Sequence, residues 1–339
     1  MFCISLHIDP TLENVHDTID ILQVFAHRYR QGQIAPSGRQ VKSRTVEDSL
    51  RAVGQAFASV GAKDPRLNAA GAIDFRIQRQ LRSYSKADPS PDRVKPIPIQ
   101  VLFHVLHVAQ ASTQEANLAT ADMIILAFFY LLRPGEYTHN ASNETTPFRL
   151  CDVELEIGRR RVLVTECSDE DLDAATFSKL TFTSQKNGVR GEVIGLGLSG
   201  LPQFCPVRAV VNRIKHLRRH HAPRETPLCA YWDDGAWKHV RPGDSTAALR
   251  TSVSVIGPRV GFISKDLSAH SLRAAGAMAL LCAHVDTDII RLVGRWRSDE
   301  MLRYLHVQAE PVMRQFANLM VIGGNYTLLP AQDVPLRFI

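Results

Sequence analysis

Apolar residues recur at helical spacing along most of the chain, and this pattern predicts a mainly helical protein. Near the N-terminus they repeat along residues 14–31, and comparable patterns follow at 45–61 and 72–84. The second segment begins at Thr45 with Asp48 three residues later, which predicts a capping box at its start. The three segments together predict a small helical module.

The stretch SKADPSPDRVKPIP, residues 85–98, contains four prolines and interrupts the helical pattern. Proline removes a backbone donor and clashes with the preceding turn, so a helix cannot continue through it. We therefore predict a helical domain at 1–88, a proline-rich linker at 89–98, a second domain at 99–325 and a tail at 326–339.

The second domain mixes helical and strand patterns. Strongly apolar segments at 99–110 and 116–132 predict two helices, and the second ends before Pro134 and Gly135. Apolar and polar residues then alternate within 149–198, as they do in half-buried strands, with KNGVRG as a turn. Further helices are predicted at 205–221, 245–257, 270–283, 286–295, 299–306 and 311–320. The predicted fold class is mainly α with a small antiparallel β-sheet.

Charge and cysteine usage narrow the functional classes only slightly. The 339 residues carry a net charge of +6, which is compatible with an anionic partner without proving one. The six cysteines show no CxxC spacing, so we expect neither a zinc site nor a disulfide framework. A protein that functions in a reducing compartment is expected instead. The N-terminus lacks the features of a signal peptide, and the apolar run at 123–132 is too short to cross a bilayer. A soluble, intracellular protein is expected.

Separated segments each carry side chains suited to binding a phosphate group. Taken alone, each has an ordinary explanation: an arginine at a helix end, a solvated lysine on a hairpin, a histidine cap, or a charged surface helix. In chain order the candidates are Arg133 with Glu136 three residues on, Lys186 in the predicted hairpin turn, His270 with Arg273 on one helix face, and Trp296 and Tyr304 within VGRWRSDEMLRYLH at 293–306.

The order of these residues resembles that of the tyrosine recombinase (phage integrase) family. Arginine, hairpin lysine, His-x-x-Arg, Gly-x-Trp and tyrosine follow one another as they do in that family, and GRWRSDEMLRYLH is most similar to the eukaryotic branch of DIRS-like and Crypton-like mobile elements. The resemblance covers 99–325, and the helical first domain is more loosely similar to the family's core-binding domain. It implies an α+β catalytic domain of the tyrosine-recombinase type.

The resemblance also implies a reaction and a role for each residue. The protein would break and rejoin DNA through a 3′-phosphotyrosyl intermediate, without metal, cofactor or ATP. Arg133 and Arg273 would clamp the non-bridging phosphate oxygens, with Glu136 in support, because guanidinium groups bind phosphate bidentately. Lys186 would protonate the leaving 5′-oxygen, and His270 would accept the phenol proton or bind a phosphate oxygen. Trp296 would donate an indole hydrogen bond, and Tyr304 would be the nucleophile.

One feature departs from several bacterial and phage relatives, in which the tyrosine lies nine residues beyond the His/Trp position. Here the separation from Trp296 to Tyr304 is eight, and one residue rotates a helical side chain by about 100°. The eukaryotic mobile-element versions resemble this shorter spacing. Tyr326 is the alternative nucleophile.

Double-stranded DNA is the expected partner, with self-association on it as a dimer or tetramer. Candidate contacts to backbone phosphates are Arg76, Arg79, Arg82, Lys215, Arg218 and Arg219. The expected location is the nucleus in a eukaryote and otherwise the cytoplasm. Three alternatives remain open: an inactive, domesticated DNA-binding protein with the same fold, a type IB-like topoisomerase, and a basic helical interaction protein with a coincidental motif order.

Overall fold

The structure is a computed structural model. It describes residues 2–13, 15–89, 95–140, 146–162, 164–183, 190–260, 262–296 and 301, without the side chains of 257–260 and 266. The chain forms two compact units, Met1–Asp92 and Arg93–Ile339. The division between the units falls inside the proline-rich stretch 89–98.

The first unit is a small helical module with its own apolar core. Buried side chains from three helices, among them Leu22, Val46 and Ile77, form that core. The carboxylates of Asp17 and Asp74 accept backbone N–H groups at the starts of two of these helices. The helices of this unit are α1 (Phe2–Ser5), α2 (Thr18–Arg30), α3 (Ser43–Ser59) and α4 (Phe75–Ala87).

The start of α3 corrects the sequence prediction. The helix begins at Ser43 rather than Thr45, and the residue before it makes no side-chain cap. The carboxylate of Asp88 instead accepts the Ser43 N–H at 2.8 Å and pairs with Arg30 at 2.7 Å. The predicted capping box is wrong because the group that caps α3 comes from the residue following α4.

The second unit combines eight helices and six strands within its described residues. The helices are α5 (Ile99–Gln110), α6 (Glu115–Phe129), α7 (Pro134–Tyr137), α8 (Asp169–Asp173), α9 (Pro206–Arg219), α10 (Pro242–Val260), α11 (Ser271–Cys282) and α12 (Thr287–Val293). The strands are β1 (Val153–Ile157), β2 (Arg160–Val162), β3 (Phe177–Phe182), β4 (Glu192–Gly197), β5 (Ala230–Asp233) and β6 (Ala236–His239).

The strands form two antiparallel sheets, one of four strands in the order β2-β1-β3-β4 and one hairpin of β5 and β6. Inward and outward residues alternate along β3, as the sequence predicts for a half-buried strand. Every residue of helix α6 from Ala119 to Phe128 is buried, so the helix lies in the centre of the core, where it packs against α5, α9, α10 and α11. The predicted fold class, mainly α with a small antiparallel sheet, is confirmed. In the part of the chain that the structure describes, no helix has the length and apolar character needed to cross a membrane.

The hairpin β5–β6 and the short helix α8 were not predicted from the sequence. The hairpin turns at Asp234 and Gly235, whose φ values are +51° and +76°. An Asp-Gly pair between aromatic residues is a strong signal for a two-residue hairpin turn. The sequence therefore carries a local signal for this hairpin.

Candidate active site

The candidate site forms where α6 ends. Leu131 adopts a φ of +50° just after α6, and this turn brings Arg133 to the start of α7. The carboxylate of Glu136 accepts hydrogen bonds from the Arg133 backbone N–H at 2.8 Å and from its Nη1 at 2.9 Å. The Glu136 side chain is 2% exposed and that of Arg133 is 31% exposed. Glu136 therefore fixes the Arg133 guanidinium while part of that group stays open to a ligand.

Arg273 reaches the same place from α11. Its Nη1 donates to the Leu131 carbonyl at 2.7 Å, and its Nη2 donates to the Gly294 carbonyl. The guanidinium carbon lies 4.3 Å from the ring centroid of Trp296, a distance typical of a cation–π contact. Arg273 thus joins α11 to two other segments, the one that carries Arg133 and the one that carries Trp296.

This junction depends on a close approach of α11 to α6. A Cβ atom added to Gly276 would lie 2.1 Å from the Phe128 carbonyl oxygen and 2.4 Å from a methyl carbon of Leu131. A side chain at this position would push the helices apart. Glycine therefore allows the approach that places the Arg273 guanidinium beside the end of α6.

A second close approach shapes the segment after α12. A Cβ atom added to Gly294 would lie 1.7 Å from the Cζ3 atom of Trp296. The indole therefore folds back over Gly294 and forms one side of the site, beside Arg273.

Arg295 also belongs to this cluster, and the sequence analysis missed it. It adopts a φ of +56°, and its side chain is 1% exposed. Its Nη2 donates to the Glu136 carboxylate at 3.1 Å and to the Leu131 carbonyl at 3.2 Å, and its Nη1 donates to the carbonyls of Tyr130 and Val293. Burial lowers the pKa of Arg295 to about 10, and Glu136 opposes that shift.

Arg295 also contacts the four-stranded sheet. Its guanidinium carbon lies 3.8 Å from the ring centroid of Phe182, the last residue of β3. The nearby Tyr130 hydroxyl is hydrogen-bonded to Ser178 of the same strand, at 2.8 Å from its carbonyl. The end of α6, the segment after α12 and the end of β3 therefore meet at one buried guanidinium.

His270 lies at the N-terminal end of α11 and makes no side-chain cap there. It is exposed, and the protein atoms around it lower the pKa of its imidazole by desolvation. The residue before it, Ala269, accepts a hydrogen bond from the buried Tyr137 hydroxyl at 3.3 Å. This bond ties the start of α11 to α7. A lowered pKa leaves His270 neutral at neutral pH and able to accept a proton.

The other two predicted catalytic residues, Lys186 and Tyr304, lie outside the described residues, as do Tyr326 and the helix predicted at 311–320. Strands β3 and β4 are paired as far as Phe182 and Glu192, so the chain segment that contains Lys186 connects two paired strands. Met301, between Trp296 and Tyr304, is buried beside Leu131, Ala277 and Ile290.

The predicted DNA-contacting residues differ in their surroundings. On α4, Arg76 pairs with Asp17, Asp20 and Asp74, whereas Arg79 and Arg82 are exposed.

On α9, Lys215 pairs with Asp173 at 2.7 Å and Arg218 lies 3.7 Å from Asp169, so α8 offsets part of the basic face, while Arg219 is exposed. Arg213, within the same run of basic residues, is buried and donates to the carbonyls of Leu228 and Ala230. The basic residues of α9 therefore do not all form a solvent-facing surface.

The charges of the cluster suit an anionic ligand. Arg133 and Arg295 share the carboxylate of Glu136, while the hydrogen bonds described above for Arg273 go to uncharged carbonyl groups. Positive charge therefore exceeds negative charge among these four residues, next to the indole of Trp296. Across the described ranges, no group of three or more His, Cys, Asp or Glu side chains is placed to hold a metal ion.

Comparison with solved structures identifies the fold. The chain is similar to the Tn1549 transposon integrase in complex with transposon right-end DNA, with a TM-score of 0.50 and 13% identity over 88% of this chain and 85% of that one. It is also similar to the XerH site-specific recombinase bound to palindromic difH substrate, with a TM-score of 0.50 and 12% identity over 92% of this chain and 73% of that one. No family model and no curated protein matches the sequence. The chain has the fold of the tyrosine recombinases.

Proposed function

We propose that the protein is a tyrosine recombinase, a site-specific DNA strand transferase that works through a 3′-phosphotyrosyl intermediate. The observation that carries the proposal is the meeting of Arg133 and Arg273 at the end of α6. Arg133 is hydrogen-bonded to Glu136, Arg273 is hydrogen-bonded to the Leu131 carbonyl, and Trp296 lies beside Arg273. The similar structures of this fold are an integrase and a recombinase bound to DNA.

In the proposed reaction, the Tyr304 phenol oxygen attacks a DNA phosphorus atom. A P–O bond to tyrosine forms, the bond from phosphorus to the 5′-oxygen breaks, and the negative charge grows on the non-bridging oxygens. Arg133 and Arg273 would stabilise that charge as fixed guanidinium groups. Reversal of the same step by a 5′-hydroxyl would rejoin the strand, since the ester retains the energy of the broken bond.

The two proton transfers are assigned to His270 and Lys186. His270 has a lowered pKa, so its neutral imidazole is available above that pKa to take the phenol proton or to hydrogen-bond a phosphate oxygen. The proton for the leaving 5′-oxygen would come from Lys186, between strands β3 and β4. Trp296 would donate its indole N–H to the phosphate.

The test is covalent capture. The protein is incubated with a nicked DNA substrate that loses a short strand after cleavage, quenched in detergent, and analysed for a protein–DNA adduct beside Tyr304→Phe. We expect an adduct with the wild type and none with the variant. No adduct with any substrate would favour an inactive DNA-binding protein.

Two further outcomes separate the alternatives. An adduct that persists in Tyr304→Phe moves the nucleophile, with Tyr326 as the candidate to test next. Relaxation of supercoiled DNA without exchange of strands would favour a type IB-like topoisomerase. We further propose that the protein assembles as a dimer or tetramer on DNA and belongs to the eukaryotic mobile-element branch.

A further inference from the structure

Arg295 is a buried cation at the junction of the elements that carry the proposed catalytic residues. Its side chain is 1% exposed, and its two terminal nitrogens make four hydrogen bonds to protein oxygens, which leaves no terminal N–H for a DNA phosphate. Burying a guanidinium group is costly unless hydrogen bonds and an opposite charge compensate. Its adoption of a left-handed backbone conformation adds a further cost, because L-residues other than glycine rarely occupy it. A residue kept at these two costs calls for an explanation.

The partners of Arg295 indicate what it does. Glu136 accepts hydrogen bonds from both Arg133 and Arg295, through different carboxylate oxygens. In the absence of Arg295, the buried carboxylate would have Arg133 as its one charged partner in this network. Its charge would then be compensated by the same guanidinium that is proposed to hold the phosphate. With Arg295 present, the Glu136 charge is already balanced.

We propose that Arg295 is a positioning residue that neutralises Glu136 and so leaves the charge of Arg133 available for a phosphate. The inference rests on the proposed function for the identity of that phosphate, but the charge balance itself concerns any tetrahedral oxyanion at the site.

The same contacts place Arg295 where it can hold the surrounding elements together. Its four hydrogen bonds to carbonyl and carboxylate groups, together with the Phe182 ring, connect the end of α6, the segment after α12 and the end of β3. Its Nε has no hydrogen-bond partner among the described residues. The guanidinium is thus held by its two terminal nitrogens and by ring stacking, a geometry that lysine cannot reproduce fully.

The decisive variants separate charge balance from packing. Arg295→Met removes the charge and keeps an extended side chain, and Arg295→Lys keeps the charge. Combining Arg295→Met with Glu136→Gln removes both charges, so Arg133 no longer faces an unbalanced carboxylate. Thermal unfolding establishes that each variant is folded.

Two readouts are measured on the full chain. The first is the single-turnover rate of adduct formation on the nicked substrate, together with the dissociation constant for intact DNA. The second is the affinity for orthovanadate, a tetrahedral oxyanion, followed by Trp296 emission in a Trp232→Phe/Trp237→Phe background, because these three are the tryptophans of the chain.

We expect Arg295→Met to lower the cleavage rate and the vanadate affinity by about 10- to 100-fold, the range in which a misplaced catalytic group acts. The DNA dissociation constant should change by less than about twofold, since the terminal N–H groups of Arg295 are all hydrogen-bonded within the protein. Adding Glu136→Gln should restore a substantial part of both losses, and Arg295→Lys should lie closer to the wild type than Arg295→Met. A purely structural role would predict no recovery with Glu136→Gln.

The proposal is overturned if Arg295→Met behaves as the wild type, or if the double variant is no better than the single one. Should Arg295→Met fail to fold, Arg295→Lys decides the question. A folded lysine variant whose cleavage rate and vanadate affinity still fall by about 10- to 100-fold shows that the charge of Arg295 is not what matters. A wild type that binds vanadate but forms no adduct removes the strand-transfer proposal and leaves the vanadate comparison to judge Arg295. A wild type that does neither removes both.

Discussion

Asp122 is a carboxyl group buried in the core, on the same helix whose end carries the candidate site. It is 8% exposed and accepts a hydrogen bond from the Asn212 side chain at 3.1 Å. Burial raises its pKa to about 7, while the charge of nearby Arg213 acts in the opposite direction. A proton is therefore bound to the folded protein at pH values where the unfolded chain has already lost it.

This raised pKa makes the free energy of unfolding depend on pH. Since the folded state binds the proton more tightly, the contribution of Asp122 to the free energy of unfolding is fully present below about pH 4. It is lost as the pH rises through about 7. The asparagine in Asp122→Asn is uncharged at every pH. The free energy of unfolding of this variant should therefore exceed that of the wild type by up to about 4 kcal/mol at pH 8, and the difference should vanish toward pH 4. Urea unfolding of both proteins at several pH values measures the difference. A gain that does not change with pH would contradict the assignment.

At the residue scale, the contact between Arg133 and Glu136 could be predicted from the sequence, but the burial of Arg295 could not. Arg133 and Glu136 are three residues apart, and a helical start brings such residues together without help from the rest of the fold. Arg295, in contrast, stands in a charged stretch and has the pattern of a surface residue. Its burial follows from the positive φ and from the approach of Glu136 and Phe182, which are distant in sequence. No spacing rule encodes those contacts.

At the scale of elements, the contact between α6 and α11 is the one on which the site most depends. Gly276→Ala would place a methyl group against the Phe128 carbonyl and Leu131, both just before Arg133. We expect this change to lower the free energy of unfolding by about 2–3 kcal/mol, as overpacking does, and to reduce cleavage in the folded fraction because the end of α6 must shift. Chemical unfolding and the single-turnover assay measure the two effects.

Gly243→Ala is the matched control for this prediction. Gly243 also lies in a helix, α10, and a Cβ atom added there would meet no atom within 4 Å. Alanine should be neutral there or stabilise by up to about 1 kcal/mol, as helix propensity predicts. If both variants had the same stability, the close approach of α11 to α6 would not be a constraint.

Most elements could be predicted from the sequence because their signals are local. Apolar periodicity located α2, α5, α6 and α9 to within a few residues, and alternation located β1. The start of α3 could not be found this way, because its cap is the distant Asp88. The boundaries that failed are those that a tertiary contact determines.

At the scale of the whole molecule, the excess of basic residues is modest, so the proposed DNA binding would depend on where the charges lie. Forty Lys and Arg residues face thirty-four Asp and Glu residues. Several of the basic residues selected from the sequence are already paired with carboxylates, such as Arg76 with Asp17 and Lys215 with Asp173. Sequence position alone cannot separate these from available cations, because the pairing carboxylates lie elsewhere in the chain.

Helix α4 offers a test of this distinction, since paired and exposed arginines lie on it together. Each phosphate contact releases counterions, so its loss lowers the slope of log affinity against log salt by about 1. We expect Arg79→Gln and Arg82→Gln each to reduce that slope, since both residues are exposed. Arg76→Gln should leave the slope nearly unchanged, because this arginine pairs with Asp17, Asp20 and Asp74, and should instead lower stability. Dissociation constants for duplex DNA, measured between about 50 and 200 mM salt, give the slopes. A slope that falls for Arg76→Gln but not for the other two would reverse the assignment and place the DNA on the Arg76 side of the helix.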